Sequence, residues 1–308
     1  MTNAILLSLA GLIGLALGGE LLVRGAVGIA QKLGVSTLFT GLVIVGFATS
    51  MPEMVASVEA AMQGSPDIAW GNVVGSNLAN TLMILGVSAL VAPIILTGAG
   101  RRDALVALGA TLLLWGLAAS GLGARWIGFA LLFGILAYIV WRYRNPGAAA
   151  VEEGEADEGE VNAVVAGVQF LAGLGVLIVG GQALVSGAIE LATIFQVPET
   201  VIGLTVVAVG TSLPELAASI AAALRGKSGL ALGNVVGSNI YNILLIGGAT
   251  MSIAPEPLPG DLAGTQMILL TASAVLVLAL LWFAKSIGRL VGGALVAVFA
   301  ANVVLVFA

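Results

Sequence analysis

Two glutamates, Glu53 and Glu215, lie in near-copies of one phrase, GFATSMPEMVAS and AVGTSLPELAAS, 162 residues apart. The sequence around them is apolar enough for lipid, where a carboxylate is costly and marks a functional site by default. Each acid follows a hydroxyl pair and a proline: Thr49, Ser50 and Pro52 in the first copy, Thr211, Ser212 and Pro214 in the second. Proline lacks an N–H and clashes with the carbonyl four residues earlier, so the two prolines break their helices and loosen the carbonyls of Ala48 and Gly210. Irregular backbone is tolerated at membrane depth only where it is packed in protein or lines a polar cavity. A second duplicated phrase, GNVVGSNLANTLMILG and GNVVGSNIYNILLIGG, supplies Ser76, Asn77 and Asn80, matched by Ser238, Asn239 and Asn242. Ser76 and Asn80 are four apart, so one helix face carries both. Each half of the chain thus offers a carboxylate, hydroxyls, amides and loosened carbonyls, and two matched halves suggest one paired, membrane-buried cation site.

Composition narrows the chemistry. The chain is 59% hydrophobic and 9% charged, against roughly 25% charged in an ordinary soluble domain. It contains no cysteine and no histidine, which excludes disulfides, thiolate sites and the usual zinc ligand and proton shuttle. Any bound metal must be met by oxygen, which favours hard cations such as Ca²⁺ and Mg²⁺ and, by the same logic, Na⁺.

Positioning such a site requires spanning helices, and apolar runs of about 20 residues occur near 3–33, 36–63, 67–93, 103–120, 125–143, 162–195, 199–225, 229–253, 263–284 and 286–307. The expected fold is an all-α integral membrane protein of ten transmembrane helices. The N-terminal stretch has no positive leading region and no convincing cleavage site, so it reads as the first span and not as a removable signal. The chain divides into a first five-helix repeat at 1–145, an acidic linker at 146–161 and a second five-helix repeat at 162–308. The linker holds the run VEEGEADEGEV; it lacks the Asp/Asn-Gly spacing of an EF-hand and reads as a solvated hinge. With the N-terminus outside, Lys32, Arg101, Arg102, Arg142, Arg144, Arg225, Lys227, Lys285 and Arg289 fall at inner ends or loops, and only Arg125 falls outside. That agrees with the rule that Lys and Arg accumulate on the cytoplasmic side; it places both termini outside and the linker in the cytoplasm.

Residues 18–86 align without a gap on 180–248. Because five spans is an odd number, the second unit enters the membrane inverted relative to the first, as in secondary transporters whose substrate site lies near the midplane between repeats. Some of the shared residues have structural uses: Gly71, Gly75, Gly233 and Gly237 form small-xxx-small pairs that let helices approach. Asn72 and Asn234 could serve helix packing and capping or act on the site directly. Glu20 has Arg24 four residues on, and both are replaced in the second copy, by Gln182 and Ser186, as an internal pair would be. Glu59 and Glu190 lack a repeat counterpart and fall near span ends, where they reach the interface.

The paired G-x-S-x-P-E and G-N-x-x-G-S-N phrases resemble the α1 and α2 repeats of the cation/Ca²⁺ exchanger superfamily, and the short middle loop is most similar to prokaryotic sodium/calcium exchangers. In the first copy Ala48 stands where Gly210 keeps the usual glycine. The resemblance covers about 45 residues in each copy and implies that the second, third, seventh and eighth helices surround four cation sites. By matching position it implies a central Ca²⁺ site of the Glu53 and Glu215 carboxylates with the Thr49 and Thr211 carbonyls. Flanking Na⁺ sites would add Ser50, Ser76 and the Gly46 carbonyl on one side and Ser212, Ser238 and the Ala208 carbonyl on the other, with Asn80 and Asn242 completing the middle. Many sodium/calcium exchangers carry Asp at the position of Asn242, so two formal charges remain in this cavity, which bears on Na⁺ stoichiometry and any use of K⁺.

The resemblance implies a secondary antiporter exchanging Na⁺ for Ca²⁺ by alternating access through movement of the first and sixth helices, normally extruding Ca²⁺, in the cell membrane. Ca²⁺ and Na⁺ would be substrates, with no cofactor, no enzymatic activity, no nucleic acid and no obligatory protein partner. The nearest alternative is a H⁺/Ca²⁺ antiporter of the same fold, because a buried carboxylate can take a proton in place of Na⁺; the hydroxyl-rich flanking sites favour Na⁺. A channel would need a continuous polar pore, against which the inverted repeat around broken helices argues. An intramembrane hydrolase would lack His and Cys, and a passive scaffold leaves two matched intramembrane acids unexplained.

Overall fold

The computed structural model describes residues 1–145, 162–195 and 210–307. Helix α1, Thr2–Leu33, is closed by Gly34, whose left-handed backbone (φ 64°) caps the last carbonyls. Helix α2, Thr37–Thr49, starts at Ser36, which accepts a hydrogen bond from the Phe39 N–H (3.1 Å). It meets α3, Met51–Met62, at an angle of 43°. The break falls at Ser50, and Pro52 sits in the first turn of α3, where its missing N–H costs nothing. Helix α4 spans Pro66–Val91, α5 Arg101–Ser120, α6 Arg125–Arg144 and α7 Ala163–Ile194. Helix α8, Leu213–Leu224, repeats the α3 arrangement, with Ser212 before it and Pro214 in its first turn. Helices α9, Ser228–Ile253, α10, Thr265–Phe283, and α11, Arg289–Phe307, complete the chain.

Among the described residues, seven helices are long and apolar enough to cross a membrane, and the bent α2–α3 pair makes an eighth. The boundaries follow the apolar runs read from sequence, apart from the run at 199–225, of which only the part from Gly210 onward is described. Among the described residues, the one strand pairing is a two-residue antiparallel contact of β1, Ile94–Ile95, with β2, Ser286–Ile287. The Ile95 N–H also donates to Ser228 Oγ (2.9 Å), which fastens this pairing to the start of α9.

Helices α4 and α9 form the centre: 78% and 83% of their apolar stretches are buried, against 28% for α1, α7 and α10, which therefore face lipid. Helices α1 and α7 pack lengthwise on a seam of small residues. A Cβ at Gly18 would come within 2.8 Å of the Leu177 nitrogen, and one at its repeat counterpart Gly180 within 3.0 Å of the Gly14 carbonyl carbon, so only glycine permits this approach. The pair leans on α8, where Gly19 meets the Ala217 carbonyl. On α3, by contrast, Val55 and Glu59, the counterparts of Ala217 and Ala221, line an open groove. Gly233 on α9 is pressed against Leu38 of α2, and Gly237 against Leu42.

Among the described residues, three stretches widen from α- to π-helical hydrogen bonding: Thr40–Val45 in α2, Ala79–Ile84 in α4 and Asn242–Ile246 in α9. Such insertions loosen the main-chain ladder and concentrate at functional sites. The last two are repeat-related, and each sets its asparagine, Asn80 or Asn242, at the mouth of the widened turn.

Candidate cation site

Both glutamates sit in the first turn of a helix that begins inside the protein, Glu53 on α3 and Glu215 on α8, facing the positive end of the helix dipole. Each is only 1% exposed. The Ser212 hydroxyl of the second repeat donates to Glu53 Oε1 (3.0 Å). In the reciprocal direction, Thr49 and Ser50 of the first repeat stand beside the Glu215 carboxylate, and the two carboxylates are close enough to interact electrostatically. Among the described residues no Lys or Arg stands beside either acid, so neither carboxyl group has a cationic side chain as partner there.

The remaining predicted residues with described side chains lie on α2 and at the break that follows it, on α4, on α9 or just before α8. Thr49, Ser50, Ser76, Asn80, Ser212, Ser238 and Asn242 are buried, and Thr211 is half-buried. The Gly46 carbonyl accepts the Ser50 N–H (3.2 Å) and the Ser238 hydroxyl (3.4 Å), which ties α2 to α9 across the repeats. Several oxygens have no hydrogen-bond partner: Glu53 Oε2, Glu215 Oε2, Asn80 Oδ1, Asn242 Oδ1, Ser50 Oγ and Thr211 Oγ1. Buried polar atoms elsewhere, such as Ser88 Oγ and Thr250 Oγ1, are unpartnered too, so these oxygens are open acceptors for a cation or a water. Among the described residues no cluster of three or more Asp, Glu, His or Cys exists, so neutral oxygens must complete any coordination that the two acids begin. Ala208 lies outside the described residues, as does the acidic linker.

Other polar residues of the duplicated phrases serve different ends. Asn77 donates to the Val73 carbonyl of its own helix (2.6 Å), whereas its counterpart Asn239 donates to Thr81 Oγ1 of α4 (2.8 Å). Asn72 donates to the Glu53 carbonyl (3.3 Å) and to Ser57 Oγ (2.9 Å). Asn234 does the same with the Glu215 carbonyl (3.2 Å) and Ser219 Oγ (2.9 Å). The sequence reading passed over Ser57, Ser219 and Thr81; the first two were detectable, because they are identical at the same 162-residue offset. Glu20 binds Arg24 (2.8 Å), as its spacing predicted, and also Arg225 at the end of α8, a partner that local spacing could not show.

The sequence matches the family described as sodium/calcium exchanger protein over residues 3–144 and 165–308. The chain belongs to the sodium/calcium exchanger family. The exchanger is 32% identical over 310 aligned residues to the sodium/calcium exchanger MaX1 of Methanosarcina acetivorans, covering 80% of this chain and 82% of that protein. It is 38% identical over 253 residues to the membrane protein MJ0091 of Methanocaldococcus jannaschii, covering 80% and 82%. Its fold superposes on a solved structure of the sodium-calcium exchanger NCX_Mj with a TM-score of 0.87 at 30% identity, covering 99% of each chain. Family, fold and apolar helices together make it a multi-pass membrane antiporter of the cation/Ca²⁺ exchanger superfamily.

Proposed function

We propose that this exchanger couples Na⁺ entry to Ca²⁺ extrusion at the Glu53–Glu215 pair. The observation that carries the reading is the pair of buried, mutually exposed carboxylates with no cationic side chain beside them and with unpartnered neutral oxygens around them. One Ca²⁺ between Glu53 and Glu215 cancels both charges, and the Thr49 and Thr211 carbonyls complete its shell. Na⁺ ions take the flanks, at Ser50, Ser76 and the Gly46 carbonyl and at Ser212, Ser238 and the Ala208 carbonyl, with Asn80 and Asn242 between. Both loads need the same two acids, and repulsion between them in a low-dielectric cavity opposes joint occupancy. Competition for one charge pair makes the carrier an exchanger and not an enzyme or a channel. Neutral hydroxyl and amide oxygens are what Na⁺ requires and a proton does not, which favours Na⁺ over H⁺ as counter-ion. The name of MaX1 as a sodium/calcium exchanger points the same way.

We propose with it ten spans in two inverted five-helix repeats, termini outside and the acidic linker in the cytoplasm, a reading supported by the apolar runs, the internal repeat and the placement of Lys and Arg. The close glycine seam supports movement of α1 and α7 as one unit against α8, exposing the site to alternate sides. Glu53→Gln and Glu215→Gln each preserve size and remove one charge. Both variants should fold and elute as wild type yet move no more Ca²⁺ than protein-free liposomes in a Na⁺-driven uptake assay. Retained exchange in either would remove the glutamate pair from the mechanism.

A further inference from the structure

A hydroxyl can ligate a cation only through its lone pairs, so its proton must be held elsewhere. Two amides, Asn234 buried and Asn72 half-buried, meet that need. The Asn72 Nδ2 is committed to two acceptors, the Glu53 carbonyl and Ser57 Oγ, which fixes the orientation of the amide. Asn72 Oδ1 can then only accept, and the hydroxyl 3.3 Å from it is that of Ser76. The Ser76 proton therefore points to Asn72, and the Ser76 oxygen is left to present lone pairs. The second repeat uses the same commitment differently. Asn234 Nδ2 is held by the Glu215 carbonyl and Ser219 Oγ, and Asn234 Oδ1 accepts from Thr49 of the other repeat (3.1 Å). Thr49 also lies 3.0 Å from the Val45 carbonyl, another pure acceptor, so two acceptors outside the carboxylate pair compete for its single proton.

We propose that Asn72 and Asn234 are positioning residues, each clamping the glutamate-bearing helix to its neighbour and turning one hydroxyl proton, of Ser76 or Thr49, out of the cation site. The proposal rests on the exchange reading above and assigns a role to residues that contribute no ligand atom of their own. It also makes the two halves unequal: Asn72 acts within α4, whereas Asn234 acts across the repeats. The counterpart of Thr49, Thr211, has no hydroxyl partner among the described residues.

The test is the Na⁺ and Ca²⁺ dependence of exchange by proteoliposomes carrying full-length variants. Asn72→Ala should raise half-saturating Na⁺, and Asn234→Ala half-saturating Ca²⁺, each about tenfold, the worth of roughly one hydrogen bond, with maximal rates within about twofold of wild type. Asn72→Ala combined with Ser76→Ala should be no weaker than the worse single variant, because the two act as one unit. An unchanged half-saturation with a lowered maximal rate would mean that the asparagines only pack helices. Multiplying effects in the double variant would mean that Asn72 acts apart from Ser76. Either result overturns the proposal. Thr49→Val, which deletes only the held hydroxyl, reads the same shift if an alanine variant fails to fold, and wild-type half-saturation in it counts equally against the role. A wild-type protein that moves no Ca²⁺ under any gradient would sink the exchange reading itself, so the control separates the two failures.

Discussion

At the scale of single residues, the account depends on which oxygens are occupied by hydrogen bonds and which are open to a cation. Ser212 illustrates the distinction, since its hydroxyl crosses from one repeat to donate to the other repeat's Glu53. A hydrogen bond to an ionised group contributes about 1.5–3 kcal/mol. Ser212→Ala should therefore raise the half-saturating Na⁺ concentration by about tenfold or more, measured from the Na⁺ dependence of Ca²⁺ uptake; an unchanged Na⁺ dependence would place Ser212 outside the site. The acids, hydroxyls and amides of this cluster were legible because they occur twice in the same frame. Whether Asn72 and Asn234 faced the site or the packing was not legible, since the answer depends on where each amide's two donors are spent. Ser57 and Ser219, which take one of those donors, are marked by the repeat, but their partners show only once the helices are brought together.

At the scale of elements, broken helices were readable and widened ones were not. Pro52 and Pro214 announce the breaks by their chemistry alone. The π-helical turns at Ala79–Ile84 and Asn242–Ile246 carry no residue that enforces them, so they arise from tertiary packing that local sequence does not encode. The glycine pairs divide similarly. Gly233 and Gly237 do bring α9 against α2, while the segment related by the repeat to α2, which Gly71 and Gly75 would meet by analogy, falls within the residues not described. The seam between α1 and α7 is the element on which movement depends. Gly18→Leu would drive a side chain into the Leu177 backbone, 2.8 Å from the first added carbon, and overpacking of this kind costs about 1–3 kcal/mol or more. Ca²⁺ uptake by Gly18→Leu should fall at least tenfold at equal protein density, with a lowered melting temperature; wild-type values for both would show that the two helices do not work as a close-packed pair.

At the scale of the molecule, the duplication read from sequence sets up a symmetry that the packing then breaks. Helices α1 and α7 lean on α8, and Arg225 at its end joins Glu20 of α1, whereas the matching face of α3 lines an open groove. The counterparts of Glu20 and Arg225 are Gln182 and Gln63, so no second ion pair of this kind can form on the other side. Arg142 shows where counting charges along the chain misses context. It falls at an inner end, but its guanidinium is buried in an ion pair with Asp103 (3.0 Å), which also accepts from Tyr138 (2.9 Å). Its charge is spent inside the protein, and Arg144, two residues on and exposed, carries the orientation signal there. The order of the described helices and the two buried acids were thus visible in composition, periodicity and repetition, while the asymmetry depends on contacts between residues more than 200 positions apart.

The central claim is that one pair of acids serves Ca²⁺ and Na⁺ in turn. The most direct measurement is radiolabelled Ca²⁺ uptake into proteoliposomes, comparing an outward Na⁺ gradient with an outward H⁺ gradient in the absence of Na⁺. The account predicts uptake with the Na⁺ gradient, none above protein-free liposomes with the H⁺ gradient, and loss of the Na⁺-driven signal in Glu53→Gln and Glu215→Gln. Uptake driven by protons alone would contradict it.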